Sequence, residues 1–221
     1  TLTNFKYLRK IWKDNTEEER LLGVSLTGIL DCPTLNNVYY ELDDVLEQLR
    51  AVAVETNKKI AKELGIQQST AITCVKPSGT VSQLVDSASG IHARHSDYYV
   101  RTVRGDNKDP LTQFMKQSGI PFEPDVMKPD STTVFSFPMK APEGAITRTA
   151  MSAIEQLDFW LIYQRHWCEH KPSVTITVKE NEWMEVGAWV YKNFDEVSGI
   201  SFLPFSEHTY QQAPYQDIDA E

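Results

Sequence analysis

Cysteine is scarce in this 221-residue chain: Cys32, Cys74 and Cys168 are widely spaced, odd in number and include no Cys-x-x-Cys pair. That argues against a disulfide scaffold or a zinc ribbon and fits a reducing, cytosolic (cytoplasmic) compartment. Positive charge is also short. With 22 Lys and Arg against 31 Asp and Glu the net charge is −9, so no broadly basic face is offered to nucleic acid, and a phosphate ligand would be small and held locally. No apolar run reaches membrane-spanning length, and Thr1-Leu2-Thr3-Asn4-Phe5-Lys6 lacks the basic-then-apolar order of a leader. The chain also lacks a Met at its start, which is expected of a processed product or a piece of something longer. What is present, 41% hydrophobic and 24% charged residues, is globular composition sufficient for one sizeable core or two small ones.

The stretch around which the rest is organised is Thr70-Ala71-Ile72-Thr73-Cys74-Val75-Lys76-Pro77-Ser78-Gly79-Thr80-Val81-Ser82-Gln83-Leu84. A β-prone run to Val75 meets a Pro-Ser-Gly turn and then small polar residues suited to opening a helix. Strand, tight loop and helix start in that order can hold phosphate, because the first N–H groups of a helix lack intrahelical partners. Gly79 lets the backbone come close, and Ser78, Thr80 and Ser82 add hydroxyls. The Walker A spacing is absent, so an ordinary strand-to-helix turn capped by Thr80 remains open.

Upstream, Phe5, Leu8, Ile11 and Trp12 have helical spacing, and Thr16-Glu17-Glu18-Glu19 reads as a capping box opening a second helix through Leu21, Leu22, Val24, Leu26 and Ile29 to Pro33. Asn37 to Leu64 carries a stripe of three- and four-residue steps closed by Gly65, with Glu41, Asp43, Asp44 and Glu47 as a solvated face. Downstream, Asp86 to Ser96 reads as a loop and Asp97 to Arg104 as a strand, with Arg94, Arg101 and Arg104 adding positive charge beside the phosphate candidate. Asp109 and Pro110 open a helix ending before Gly119, and Thr132 to Pro138 is a strand. Thr147 to His170 is predicted as a long helix, Ser173 to Val178 as a strand, Glu182 to Asn193 as a helix with Trp183, Val186, Trp189 and Val190 inside, and Gly199 to Phe202 as a last strand. From Ser206 the tail is polar. Alternating strands and helices after Thr70 point to an α/β fold with largely parallel pairing. Three segments are expected: a helical one (1–69), an alternating one (70–205) and the tail (206–221).

Two histidine groups invite a metal reading. His92 and His95 have no third ligand apparent nearby, and in a helix His166 and His170 share a face that Cys168 does not, so polar structural roles suit both groups better.

Taken together, Lys76-Pro77-Ser78-Gly79-Thr80-Val81-Ser82-Gln83-Leu84, Ser89-Gly90-Ile91-His92, Tyr98 to Arg104, Ser173 to Val178, Gly199-Ile200-Ser201-Phe202-Leu203-Pro204 and Thr209 to Tyr215 resemble the C-terminal part of ribonucleotide reductases. The likeness is greatest to the monomeric, adenosylcobalamin-dependent (class II) ribonucleoside-triphosphate reductases, and it covers nearly the whole chain. It implies the C-terminal portion of a ten-stranded α/β barrel, incomplete on its own. It also implies that Lys76, Pro77, Ser78, Gly79, Thr80, Val81 and Ser82 hold the substrate polyphosphate, with Lys76 a weaker electrostatic contributor. The family uses a thiyl radical on a cysteine in an Asn-x-Cys-x-Glu pattern, together with two further cysteines, and none of the three cysteines here stands in those contexts. A C-terminal cysteine pair, a tyrosine pair in Ser173 to Val178 and an Arg-Gly-Tyr motif are also missing, and the last two absences favour the cobalamin class. The resemblance therefore implies no catalytic residue in this chain, an N-terminal part bearing the radical cysteine and effector region, adenosylcobalamin shared with that part, a ribonucleoside triphosphate substrate and a thioredoxin-type reductant. A non-catalytic module that keeps the phosphate loop, and a metal enzyme using the histidines, are the competing readings.

Overall fold

In the computed structural model the chain is described over residues 6–37, 41–79, 81–205 and 210–220. Helix α1 (Lys10–Glu19) ends at Arg20, whose φ of 45° turns the chain into strand β1 (Val24–Ser25). A 3₁₀ turn (Ile29–Asp31) leads to α2 (Leu42–Leu64), which is closed by Gly65 at φ 65° with its N–H on Ala61 and Lys62 carbonyls. Strand β2 (Thr73–Cys74) pairs parallel with β1 and precedes a single helical turn, α3 (Val81–Leu84).

The middle of the chain is an antiparallel sheet. Strand β3 (Tyr98–Asp106) lies between β5 (Thr132–Lys140) and β8 (Tyr215–Asp217), with β4 (Phe122–Pro124) on the outer edge of β5. Helix α4 (Pro110–Gln117) has Pro at N1 and the Asp109 carboxylate capping the Leu111 N–H. Helix α5 (Ala153–His166) opens with a capping box between Ser152 and Glu155, then gives way to β6 (Ser173–Val178), α6 (Trp183–Lys192) and β7 (Gly199–Pro204), which pairs parallel with β6.

Ser173 N–H donates to Val75 O at 3.2 Å, which brings β6 and β7 alongside β1 and β2. Alternation along β6 turns Val174, Ile176 and Val178 inward onto α5, whose Leu157, Trp160 and Tyr163 are fully buried and also meet Leu46 of α2. Val75 and Ile91 belong to the same apolar block, which anchors the chain at the start of the 76–79 loop and within the 86–96 loop.

Several expectations are corrected. Leu21 to Ile29 is not a helix: Gly28 sits at φ 67°, and Leu22, Val24 and Leu26 N–H groups bond Ala71, Ile72 and Cys74 carbonyls instead. Thr16 is therefore inside α1, with its hydroxyl on Trp12 O, and opens nothing. The first 69 residues contain a strand, Thr70 to Val75 contributes only two residues of ladder, and α5 begins at Ala153 because Ser152 caps it there. Pairing is not largely parallel, since the widest sheet is antiparallel. The polar tail supplies β8, and Trp183 is 40% exposed while Val186 is buried. Expectations on Phe5, Val38 and Thr209 lie outside the described residues.

Candidate phosphate-binding site

The loop after β2 is built by hydroxyls acting on backbone. Lys76 N–H donates to Ser25 Oγ at 3.0 Å, and Ser78 N–H donates to Ser89 Oγ at 2.8 Å, which fastens the loop to the 86–96 segment. Ser78 Oγ accepts from Ser82 N–H at 3.0 Å, so Ser78 caps the turn of α3. The Ser82 hydroxyl in turn donates to Ser78 O, and Ser82 is fully buried. Ser78 and Ser82 thus brace the loop from within. Thr80 lies outside the described residues. Lys76 and Pro77 are exposed, as is Gly79, and Val81 is 65% exposed.

At Gly79 a Cβ would meet nothing within 4 Å. The fold itself does not need glycine there, and the backbone at this point is open to the outside. No hydrogen-bond partner engages the N–H of Gly79 or Val81 among the described residues. With only four residues, α3 adds little macrodipole.

Of the three arginines expected beside the loop, one reaches it. Arg101 Nη2 donates to Gly79 O at 3.0 Å. Arg94 is 4% exposed and fully engaged: Asp31 takes Nε at 3.0 Å and Nη2 at 2.8 Å, Asp86 takes Nη1 at 3.2 Å, and the Tyr99 hydroxyl accepts at 3.2 Å. Burial works against its charge, but the Asp31 and Tyr99 contacts outweigh that and raise its pKa. Its charge is spent on Asp31 and is not available to a phosphate. Arg104 is held by Asp125 at 2.7 Å and by Gln212 O at 3.1 Å.

Beside Gly79 opens a cavity of about 330 Å³ lined among others by Ser89, His95, Tyr99, Arg148 and Tyr215. His95 stacks on Tyr215 with ring centroids 5.4 Å apart, and burial lowers its pKa, with Arg148 adding to the effect. His92 is locked differently: Nε2 accepts from Thr175 N–H at 3.0 Å, which leaves Nδ1 to donate to Ser89 O at 3.0 Å. Burial pushes its pKa below the ordinary value despite the Ser89 bond.

The other histidines are also occupied. His166 Nδ1 meets Glu47 Oε1 at 2.7 Å, and His170 Nε2 bonds Leu22 O at 2.7 Å. Cys168 is buried, which pushes its thiol up to about 12, with Cys74 adding to the rise. No group of three or more His, Cys, Asp or Glu is arranged to take a metal ion among the described residues. Sequence reasoning missed Asp31 and Ser89 as loop supports and Tyr215 as a neighbour of the site. Their partners stand far away in sequence; Ser89 and Tyr215 fell within quoted motifs, Ser89-Gly90-Ile91-His92 and Thr209 to Tyr215, without a role being given to either, and Asp31 fell within none.

The architecture around this loop is that of part of a class II ribonucleotide reductase. A crystal structure of a B12-dependent class II enzyme matches with a TM-score of 0.82 and 26% identity, over 96% of this chain and 33% of that one. The adenosylcobalamin-dependent ribonucleoside-triphosphate reductase of Euglena gracilis is 32% identical over 215 residues, 95% of this chain and 29% of that protein. The namesake enzyme of Lactobacillus delbrueckii subsp. bulgaricus is 32% identical over 182 residues, 80% of this chain and 24% of its own. A probable one from Dictyostelium discoideum is 28% identical over 217 residues, 94% of this chain and 28% of its own. No family model matches. The chain is a homologue of the adenosylcobalamin-dependent ribonucleoside-triphosphate reductases, and it spans less than a third of the length of these relatives.

Proposed function

We propose that this chain is the C-terminal portion of a ribonucleotide reductase that makes deoxyribonucleotides by a thiyl-radical route, and that its own task is to hold the substrate polyphosphate. The observation that carries the reading is the loop at 76–82: internally braced by Ser78 and Ser82, open at Gly79, and attended by Arg101. An anion held by loop amides needs no dedicated lysine, and Lys76 contributes only long-range attraction. The parallel pairs β1-β2 and β6-β7 are read as consecutive parts of a ten-stranded barrel whose remaining strands, radical cysteine and effector region belong to an N-terminal part. Adenosylcobalamin carries its cobalt in its own corrin and would supply the radical. No residue described here is assigned to it, and its contacts are placed with that N-terminal part.

Mixing this chain with a fragment carrying the Asn-x-Cys-x-Glu loop, a ribonucleoside triphosphate, adenosylcobalamin and a thioredoxin-type reductant should yield deoxynucleotide, and neither piece should do so alone. A stable complex without product would favour the competing reading, a phosphate-binding module without catalysis. Cytoplasmic residence belongs to the same proposal. Among the described residues no helix is long and apolar enough to cross a membrane.

A further inference from the structure

Three polar atoms without a partner meet at one cavity. Among the described residues six buried side-chain nitrogens and oxygens make no hydrogen bond, and Ser87 Oγ, His95 Nε2 and Arg148 Nε are three of them. All three residues line the cavity of about 330 Å³ beside Gly79. Buried polar groups are nearly always paired, so orphans gathered on one wall mark a place where something else supplies the partners.

The segments that carry them are fixed by the fold. Arg148 N–H donates to Arg94 O at 2.9 Å and Arg94 N–H to Ile146 O at 3.2 Å, which ties the 146–148 stretch to the 86–96 loop. Arg148 Nη2 meets Asp217 of β8 at 3.1 Å, so the guanidinium is held at one corner while Nε stays unused. The His95 ring stacks on Tyr215 with 19° between the planes and its side chain is only 10% exposed; Nε2 stands 3.3 Å from Asp217 Oδ1 without a hydrogen bond. Ser89 faces the same space: its Oγ accepts from Ser78 N–H at 2.8 Å and keeps its own proton to donate. The wall is one-sided in its chemistry. Two arginines and two histidines line it, and no Asp or Glu does. Arg148 Nε–H only donates, the serine hydroxyls can donate, and the His95 imidazole, its pKa lowered by burial, is neutral at pH 7 and can give or take one proton in a hydrogen bond.

We propose that this cavity is an oxyanion site that takes a phosphate group on Arg148 Nε, Ser87 Oγ and His95 Nε2. It uses none of the amides of residues 76–82, and it stands whether or not that loop holds a polyphosphate. Phosphate answers the wall better than a carboxylate, because Ser89 brings the groups seeking partners to four and a carboxylate has two oxygens to offer.

The test is titration of this chain with inorganic phosphate, followed by calorimetry and by the ring resonances of His95. Binding should saturate, and the His95 signals should shift in step with it while those of His166 and His170 stay in place. Ser87→Ala removes one hydroxyl and should weaken binding about threefold. Arg148→Lys keeps a charge for Asp217 but has no Nε donor, and should weaken binding about tenfold. Without phosphate, Ser87→Ala should unfold no earlier than wild type, which separates loss of a ligand contact from loss of structure. Inorganic tripolyphosphate distinguishes two sources of the group: displacement of phosphate assigns the cavity to the end of a polyphosphate, simultaneous binding assigns it to free phosphate, and either keeps the site. The proposal is overturned if wild type does not saturate, if the His95 signals do not respond, or if Ser87→Ala and Arg148→Lys both bind as wild type does, because the anion is then held elsewhere, the 76–82 loop included.

Discussion

Arg94 and Asp31 lie 63 positions apart, and Arg94 read alone is a free cation next to a phosphate loop. In the fold both side chains are nearly covered, at 3% and 11% exposure, and they are joined by a two-pronged contact. Removing one partner leaves a buried charge without compensation, so Asp31→Asn should cost about 3 kcal/mol, measured by denaturant unfolding, while tripolyphosphate affinity of the folded protein stays near wild type. His92 gives a pH-dependent counterpart. Its folded pKa lies below 6.5 because burial disfavours the cation and Nε2 must stay bare to accept from Thr175. The unfolded chain therefore binds more protons just below 6.5, so this contribution is complete above that pH and is lost as pH falls toward the folded value. His92→Gln should flatten the fall in unfolding midpoint on acidification. Some slope should remain, because the His95 pKa is lowered too. Both histidines could be recognised in the sequence as polar loop residues, but their partners on β6 and β8 could not.

At the scale of elements, periodicity succeeded where one period ruled. Ser173 to Val178 was legible to the residue because alternation and β-branching agree; for α2 the stripe running into Gly65 gave the end, while the helix starts at Leu42 and not at Asn37. Leu21 to Ile29 was misread because a short apolar run fits either period, and its backbone partners in 71–74 were invisible locally. The interlock of that region with the loop at 76–79 centres on Gly90, at φ 56° with Ile29 N–H on its carbonyl and Thr27 Oγ1 on its amide. A Cβ there would stand 2.9 Å from the Lys76 carbonyl, a backbone atom that cannot yield without moving the loop. Gly90→Ala should therefore lose at least about 2 kcal/mol of stability and weaken phosphate binding together. Gly79→Ala, with open space at its Cβ, should leave the unfolding midpoint unchanged, and comparing the two melting curves tests the assignment of fold and ligand roles to the two glycines.

For the whole molecule, the apolar surface is unevenly covered. Helix α1 buries none of its residues: Ile11 and Trp12 stand more than half exposed, as does Leu8 just before it. Leu21, Leu22, Ile60 and Leu64, also exposed, line a groove of about 360 Å³ between the end of α1 and α2. The sequence announced these residues as apolar at helical spacing, which ordinarily means core, and nothing in a pattern says which polypeptide provides the cover. Exposed apolar surface of this kind drives association, so this chain alone should sediment as a concentration-dependent mixture of monomer and larger species. Ile11→Glu combined with Trp12→Glu should shift it toward monomer and leave the unfolding midpoint in place, since neither side chain is part of the core. Leu157→Ala, a fully buried position, should do the reverse: destabilise by about 2–5 kcal/mol and leave the α1 surface as adhesive as before. A wild-type chain that stays monomeric across the concentration series, or a double variant that melts much earlier, would mean that α1 packs against the body of the protein in solution and that the groove beside it is closed.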